Sequence, residues 1–128
     1  MISIVIPGEV PSKKNSRINT RSGRSFPSRA YQRWHDMAMF HAITQAKGKK
    51  APDPCEITVT LIHGDMRRRD CDNGLSSVLD MLVDSGILSD DDWKHVRNLK
   101  VLAFHRKGKP ECRVEIEEAP AEYFFREE

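Results

Sequence analysis

Two clusters of charged side chains in this sequence have the residue types that phosphodiester chemistry requires. Residues 67–73 read Arg-Arg-Arg-Asp-Cys-Asp-Asn, and a second acidic run follows at residues 90–92. Carboxylates can hold a hard divalent cation such as Mg²⁺, which prefers oxygen ligands. Guanidinium groups can bind the phosphates of a nucleic acid. Together the two clusters predict a metal-dependent phosphodiesterase that acts on nucleic acid.

A purely structural explanation of the acidic residues is the alternative. Aspartates are common at helix N-termini and in exposed turns, where they cap the helix and keep the chain soluble. However, Asp70 and Asp72 lie two residues apart, and a second acidic turn folded beside them would raise the pKa of each carboxyl group. A bound cation removes that repulsion, so the pattern favours a metal site.

Length and composition favour one protein domain over residues 1–128. The cysteines, Cys55, Cys71 and Cys112, are odd in number and show no CxxC spacing, which indicates reduced thiols and no zinc site. No apolar run approaches the roughly twenty residues of a membrane helix, and no basic start precedes the apolar N-terminus. We therefore expect a soluble cytoplasmic protein with no membrane contact and no small-molecule cofactor.

The formal net charge of +2 conceals a polarised distribution. The segment from Val10 to Ala30 contains no acid, whereas a tail at about 117–128 is mainly acidic. We expect a basic loop at about residues 8–28 that binds DNA phosphates together with the arginine run. The predicted DNA contacts are Lys13, Lys14, Arg17, Arg21, Arg24, Arg67, Arg68 and Arg69. A single-strand or RNA-binding module is disfavoured, because aromatic residues are few and are not interleaved with basic ones.

Hydrophobic periodicity predicts the elements that position these residues. We expect a first strand at residues 2–6, a helix from the N-cap Ser28 to about Ala46 with Gly48 as its stop, and a strand over residues 55–63. Trp34, Met37, Ala38 and His41 are the predicted buried face of that helix. A second helix is predicted from about Asp72 to Asp84, which sets Asp70 and Asp72 at its N-terminus. Residues 93–105 and 112–117 are predicted to pair as a hairpin. The result is an α+β fold, a single small sheet of about four strands with two helices, in strand-helix-strand-helix-hairpin order.

The sequence resembles the RusA family of Holliday junction resolvases over nearly its whole length. The resemblance rests on Asp-x-Asp-Asn at 70–73, a helix bearing Asp80, then Gly86 and an Asp-Asp pair before a strand, and on Pro11-Ser12 with a basic loop containing Asn15. Members of this family are dimeric Mg²⁺-dependent endonucleases of bacteria and their phages. The resemblance implies that Asp70, Asp72 and Asp91 hold Mg²⁺ and that metal-activated water cuts branched DNA during recombination and repair. It also implies a homodimer, with Asp90 as a neighbouring acid. Asp80 either shapes the site or is an exposed helix-surface aspartate.

Ser76 departs from the family pattern, which has a lysine essential for catalysis at this position. Losing one such electrostatic contact costs about a hundredfold to a thousandfold in rate. Either the protein is a catalytically weak or inactive binder of branched DNA, or another cation takes over, with Lys94, Arg69 and Arg97 as candidates. His63 and His95 are each either a general base or a structural histidine. Candidate dimer contacts are Phe104, Tyr123, Phe124 and Phe125.

Overall fold

Apolar residues that alternate along the strands and recur every three or four positions along the helices build the elements of this fold. In the computed structural model they run in the order β1 (Ile2–Pro7), β2 (Arg17–Asn19), β3 (Ser25–Pro27), α1 (Arg29–Ala46), β4 (Cys55–His63), α2 (Cys71–Asp84), β5 (Val96–His105) and β6 (Glu111–Glu118). The structure describes residues 1–13, 17–19, 23 and 25–120, and residues 17–19 and 25–27 by their backbone alone. The predicted α+β class, with a four-stranded sheet and two helices, is confirmed.

The four-stranded sheet is mixed and has the order β1-β6-β4-β5. β6 pairs antiparallel with β1 and with β4, whereas β4 and β5 run parallel. Ile4, Val114 and Val59 lie side by side across the three antiparallel strands, and all three are fully buried. Their neighbours along each strand are more exposed, so one face of the sheet packs under the helices while the other meets solvent.

The predicted hairpin of the last two strands is wrong. β6 does not return beside β5 but crosses to the other side of β4 and inserts between β4 and β1. There it gains two strand partners, and its alternating residues Cys112, Val114 and Ile116 become fully buried. β5 is left at the edge of the sheet, with most of its second half exposed.

The segment predicted to be a basic loop contains some regular structure. β2 and β3 form a short antiparallel pair in which Ile18 is opposite Phe26. The backbone of Arg17 belongs to this pair, while its side chain and residues Lys14, Arg21 and Arg24 lie outside the described residues. The acidic tail is described only as far as residue 120.

α1 begins and ends where the sequence predicts. The Ser28 hydroxyl accepts a hydrogen bond from the Tyr31 backbone N–H at 3.1 Å and caps the helix. The chain then leaves the helix through Lys47 and Gly48, both with positive φ. The buried face is Tyr31, Trp34, Ala38, Ala42 and Ala46. The predicted core positions Trp34 and Ala38 are therefore confirmed, whereas Met37 and His41 are only half-buried at its margin.

α2 packs closely on β4 through a glycine. A Cβ atom at Gly74 would lie 3.0 Å from Cδ1 of Leu61, closer than side chains normally pack. The absence of a side chain therefore lets the first turn of α2 approach the sheet, which offsets the roughly 1 kcal/mol that glycine costs in a helix. This contact sets the N-terminus of α2 beside the end of β4.

The three cysteines of the sequence form no disulfide bond in this fold. Cys55, Cys71 and Cys112 are all free thiols. Burial raises the pKa of Cys55 to about 11 and that of Cys112 to about 12, so neither thiol is a reactive thiolate near neutral pH. Within the described ranges, neither helix combines the length and apolar character needed to cross a bilayer.

Candidate active site

Three segments distant in the sequence meet at the N-terminus of α2 and enclose a cavity of about 300 Å³. The segments are the chain after β1, the end of β4 and the first turn of α2. The lining residues are Glu9, Val10, Pro11, Ser12, Leu61, His63, Arg67, Arg68, Arg69, Asp70, Asn73 and Gly74. The arginine run and the first predicted metal ligand therefore share one concave surface with the base of the basic loop.

Asp70 is the N-cap residue of α2, yet it forms no side-chain cap hydrogen bond within the described structure. Its carboxylate instead lies 3.4 Å from Nδ2 of Asn73 and 3.5 Å from the guanidinium of Arg68. These contacts are long, and the side chain is half-exposed. Asp72 is exposed in the first helical turn. Both predicted ligands therefore present carboxylate oxygens to solvent at one helix end.

Asp91 lies in the connection between α2 and β5, close to other acids. Its backbone N–H donates to the Asp90 carboxylate at 2.7 Å. Partial burial, a side-chain hydrogen bond with Asp90 and the negative charges of Asp90 and Asp80 raise the pKa of the Asp91 carboxyl group. Because Asp80 is on α2, the acidic turn folds back towards this helix, but the charges that act on Asp91 are those of Asp90 and Asp80, whereas the sequence predicted crowding beside Asp70 and Asp72.

A tight group of metal-ligating side chains occurs in the same connection. Within the described residues, Asp90, Asp92 and His95 place ligand atoms within 4.8 Å of one another, whereas Asp70, Asp72 and Asp91 form no such close group. The Asp92 carboxylate also accepts bonds from the backbone of Lys94 and His95, and its pKa is lowered mainly by its hydrogen bond with the His95 ring. Asp92 thus organises a turn, and the assignment of the metal to Asp70, Asp72 and Asp91 stays a prediction.

The arginine run divides into one structural and two exposed side chains. Arg69 is only 20% exposed, and its guanidinium donates to Asp65 at 2.8 Å and lies 3.4 Å from Glu9. The hydrogen bond from Arg69 lowers the pKa of Asp65 to about 2. Arg67 and Arg68 are exposed at the rim of the cavity. They are therefore better placed than Arg69 to contact a phosphate.

Glu9 is a central residue of the cavity that the sequence reasoning missed. Its carboxylate lies 2.6 Å from Nδ1 of His63 and accepts the Gly64 backbone N–H at 3.1 Å. Because an ionised carboxylate only accepts, Nδ1 of His63 carries the shared proton, and in the neutral ring Nε2 is then an acceptor. The one available signal was that Glu9 is the sole acid before Asp36 in a basic stretch of sequence.

Ser77 is a second missed residue, and it fixes the base of the basic loop to α2. It is the buried polar side chain of the described core, with no exposed surface. Its hydroxyl donates to the Pro11 carbonyl at 2.6 Å and accepts the Lys13 backbone N–H at 3.3 Å. A serine at a core position of an amphipathic helix was the available signal, since a buried hydroxyl needs partners.

We expect Ser77→Ala to destabilise the fold, because it leaves the Pro11 carbonyl and the Lys13 N–H without their partner. Orphaning such groups costs about 1–3 kcal/mol. Urea unfolding followed by circular dichroism measures the loss. Ser76→Ala is the matched control, since Ser76 is exposed on the same helix. Equal unfolding midpoints for the two variants would contradict the role of Ser77 as an anchor.

The remaining predicted site residues lie away from the cavity. Lys94 and Arg97 flank the exposed Trp93, with their charged groups 6.0 and 5.5 Å from its ring centroid. His95 lies 2.6 Å from Asp92 and 3.8 Å from Asp53. Phe104 is exposed on β5, while Tyr123, Phe124 and Phe125 fall outside the described residues.

Comparison with known proteins supplies the family context of this site. Residues 7–117 match the family model described as Endodeoxyribonuclease RusA. A similar curated protein is the crossover junction endodeoxyribonuclease RusA of Aquifex aeolicus (strain VF5), which is 29% identical over 80 residues. That alignment covers 62% of this chain and 64% of the length of the relative. The family match includes both acidic clusters and the whole basic segment.

Proposed function

This chain belongs to the RusA family of endodeoxyribonucleases, as its motifs predicted, and we propose that it resolves four-way DNA junctions in recombination and repair by cutting phosphodiester bonds. The observation that carries the proposal is the shared cavity, in which Asp70 meets exposed arginines at the N-terminus of α2. Anion-binding and metal-binding groups thus converge where a phosphate can reach both. We propose a cytoplasmic location, where such a DNA substrate would be found.

The donor set suits Mg²⁺. Oxygen ligands from Asp70, Asp72 and Asp91 match the preference of this ion, and Asp90 is a further oxygen donor beside Asp91. Burial and the neighbouring Asp90 and Asp80 raise the pKa of the Asp91 carboxyl group, so a bound cation would relieve repulsion at this acid. When bound, Mg²⁺ would polarise the phosphoryl oxygen and lower the pKa of an attacking water.

The side chains of this protein would hold the DNA and control protons around that ion. Arg67 and Arg68 would bind phosphates at the rim and fix the register of the strand without reading its sequence. Nε2 of His63 is available as a proton acceptor, because Glu9 holds the proton on Nδ1. No protein nucleophile is required for hydrolysis.

Paired cuts on a twofold-symmetric junction require two active sites, and we propose a C2 homodimer that associates through β5. β5 is one of the two edge strands of the described sheet, with β1 at the other edge, so its outer backbone groups are open to pairing with the same strand of a second copy. Leu102 and Phe104 are 41% and 56% exposed on this strand and provide the apolar contact that a stable interface needs.

We expect Phe104→Lys to convert the dimer to a monomer, because it replaces an exposed apolar side chain of the proposed contact by a charged one. Light scattering after size-exclusion chromatography gives the mass of each species. Phe40→Lys is the matched control, since Phe40 is equally apolar and exposed on α1 at a distance from β5. A Phe104→Lys variant that stays dimeric would exclude β5 as the interface.

A second candidate function is a protein that holds branched DNA but cuts it weakly or not at all. Ser76 favours this alternative, because a serine cannot supply the positive charge of a lysine to a reacting phosphate. The distinction between the two functions lies in the chemical step and not in binding.

The proposed function is tested by separating binding from cleavage. A labelled four-way junction is bound to the protein in EDTA and the affinity is measured by gel shift, after which Mg²⁺ is added and product strands are followed with time. We expect binding in EDTA and product only after Mg²⁺ is added. Tight binding without any product in Mg²⁺ would support the binding-protein alternative, and cleavage in EDTA would refute metal dependence.

A further inference from the structure

Lys13 is held against α2 by two separate contacts, one to its backbone and one to its side chain. Its backbone N–H donates to the buried hydroxyl of Ser77, which also binds the Pro11 carbonyl. Its ammonium Nζ lies 3.5 Å from the Asp80 carboxylate, one turn further along the helix. The backbone anchor limits where the side chain can reach, so the ammonium stays beside this part of α2.

Asp80 lies on the side of α2 that carries the acidic site. Residues 72, 76 and 80 follow one another at four-residue spacing and therefore lie above one another on one helix face, about 6 Å apart along the axis. Through its contact with Asp80, Lys13 thus brings a positive charge to the helix face on which Asp72 and Ser76 lie.

We propose that Lys13 is a catalytic residue that donates a hydrogen bond to the phosphate being cleaved and stabilises the negative charge that develops on it. This inference rests on the proposed nuclease function. An ammonium group has three N–H donors, so Lys13 can keep its contact with Asp80 and direct another donor at a phosphate oxygen. Its side chain is 43% exposed, which leaves it accessible to DNA. The contribution is electrostatic, and no covalent bond to Lys13 forms.

The other cations near the site are less suited to this role. Arg69 is already bound to Asp65 and Glu9, and Lys94 and Arg97 lie beside Trp93. Arg68 is almost fully exposed, at 92%, and binds Asp70 only at 3.5 Å. Of the cations compared, Lys13 alone has both an anchored backbone and an ammonium group on the face of α2 that carries Ser76. It therefore provides the positive charge that Ser76 does not.

The activity test compares Lys13→Gln with Lys50→Gln, a control in the exposed turn after α1. With protein in excess over junction, we expect Lys13→Gln to lower the cleavage rate about a hundredfold, as for loss of one transition-state contact. Junction affinity should weaken far less than the rate, and Lys50→Gln should leave both unchanged. Adding Ser76→Lys to Lys13→Gln should restore much of the rate, because it returns an ammonium to the same helix face. A rate loss no larger than the affinity loss would overturn the proposal.

A second measurement does not depend on cleavage. Because Lys13 carries its positive charge on the helix face of the proposed metal ligand Asp72, its removal should relieve like-charge repulsion and tighten Mn²⁺ binding by the DNA-free protein several-fold, as measured by calorimetry. An unchanged Mn²⁺ affinity in Lys13→Gln would show that the ammonium is not beside the metal and would overturn the inference. A wild-type protein that binds Mn²⁺ without cutting any junction would refute the nuclease function, while the Mn²⁺ shift would still report the position of Lys13. A wild-type protein that binds no Mn²⁺ would refute both.

Discussion

Asp70→Asn should lower the rate of junction cleavage by at least a hundredfold to a thousandfold, the usual cost of removing one electrostatic contribution to a transition state. Asp70 combines the N-cap position of α2 with a half-exposed carboxylate that makes only long contacts, so its charge is available to a metal ion. The asparagine keeps the shape of the side chain and removes its charge, and no side-chain cap hydrogen bond of Asp70 is lost. Fold and DNA affinity should therefore be retained.

Single-turnover cleavage of a labelled junction measures this effect, with gel-shift affinity and thermal unfolding recorded on the same preparation. Asp36→Asn is the matched control, because Asp36 is an exposed aspartate on α1 outside the cavity. Unaltered cleavage by Asp70→Asn would show that Asp70 is not a metal ligand. The group of Asp90, Asp92 and His95 would then be the alternative candidate for the metal site.

Raising the salt concentration from 50 to 200 mM should weaken junction binding by about 10³ to 10⁵, as expected for about six to ten phosphate contacts that release counterions together. The cations of the basic loop, together with Arg67 and Arg68, are numerous enough to form about six to ten phosphate contacts. Replacing Arg67 and Arg68 by glutamine should reduce the slope of log affinity against log salt by about two. Fluorescence anisotropy with a catalytically inactive variant follows binding without cleavage.

The paired substitution Lys49→Gln and Lys50→Gln is the control for net charge, since it removes the same charge from a turn distant from the cavity. Its salt slope should match that of the wild type. A shallow salt response of the wild-type protein would mean that the basic loop and the arginine run do not hold the DNA backbone.

Both helices and the four strands of the main sheet were predictable because they depend on local patterns, whereas β2 and β3 lie in the segment predicted to be a loop. Alternation predicted β4 to its residue limits, and Ser28 with Gly48 predicted both ends of α1. The pairing of the strands was not predictable in the same way. Alternation in β6 indicates which side chains turn inward but not which strands lie beside it, so nothing in residues 96–118 showed that β6 would insert between β1 and β4.

The candidate site was predictable only where it depends on local patterns of the sequence. The position of Asp70 follows from the start of an amphipathic helix, which the sequence shows directly. Glu9 and Ser77 act through contacts to residues more than fifty positions away, which no local pattern reveals. Arg69 shows the reverse case, because its sequence neighbours suggested a phosphate contact whereas the fold pairs it with Asp65 and Glu9.

The central claim is that this protein cuts branched DNA in a metal-dependent and structure-dependent way. The most direct test incubates the wild-type protein and Mg²⁺ with a labelled synthetic four-way junction and, in parallel, with a linear duplex of the same sequence, and maps the cuts on every strand. We predict paired, symmetric cuts in the junction and an intact duplex. Equal cutting of the two substrates, or a junction that is bound tightly and never cut, would contradict the claim.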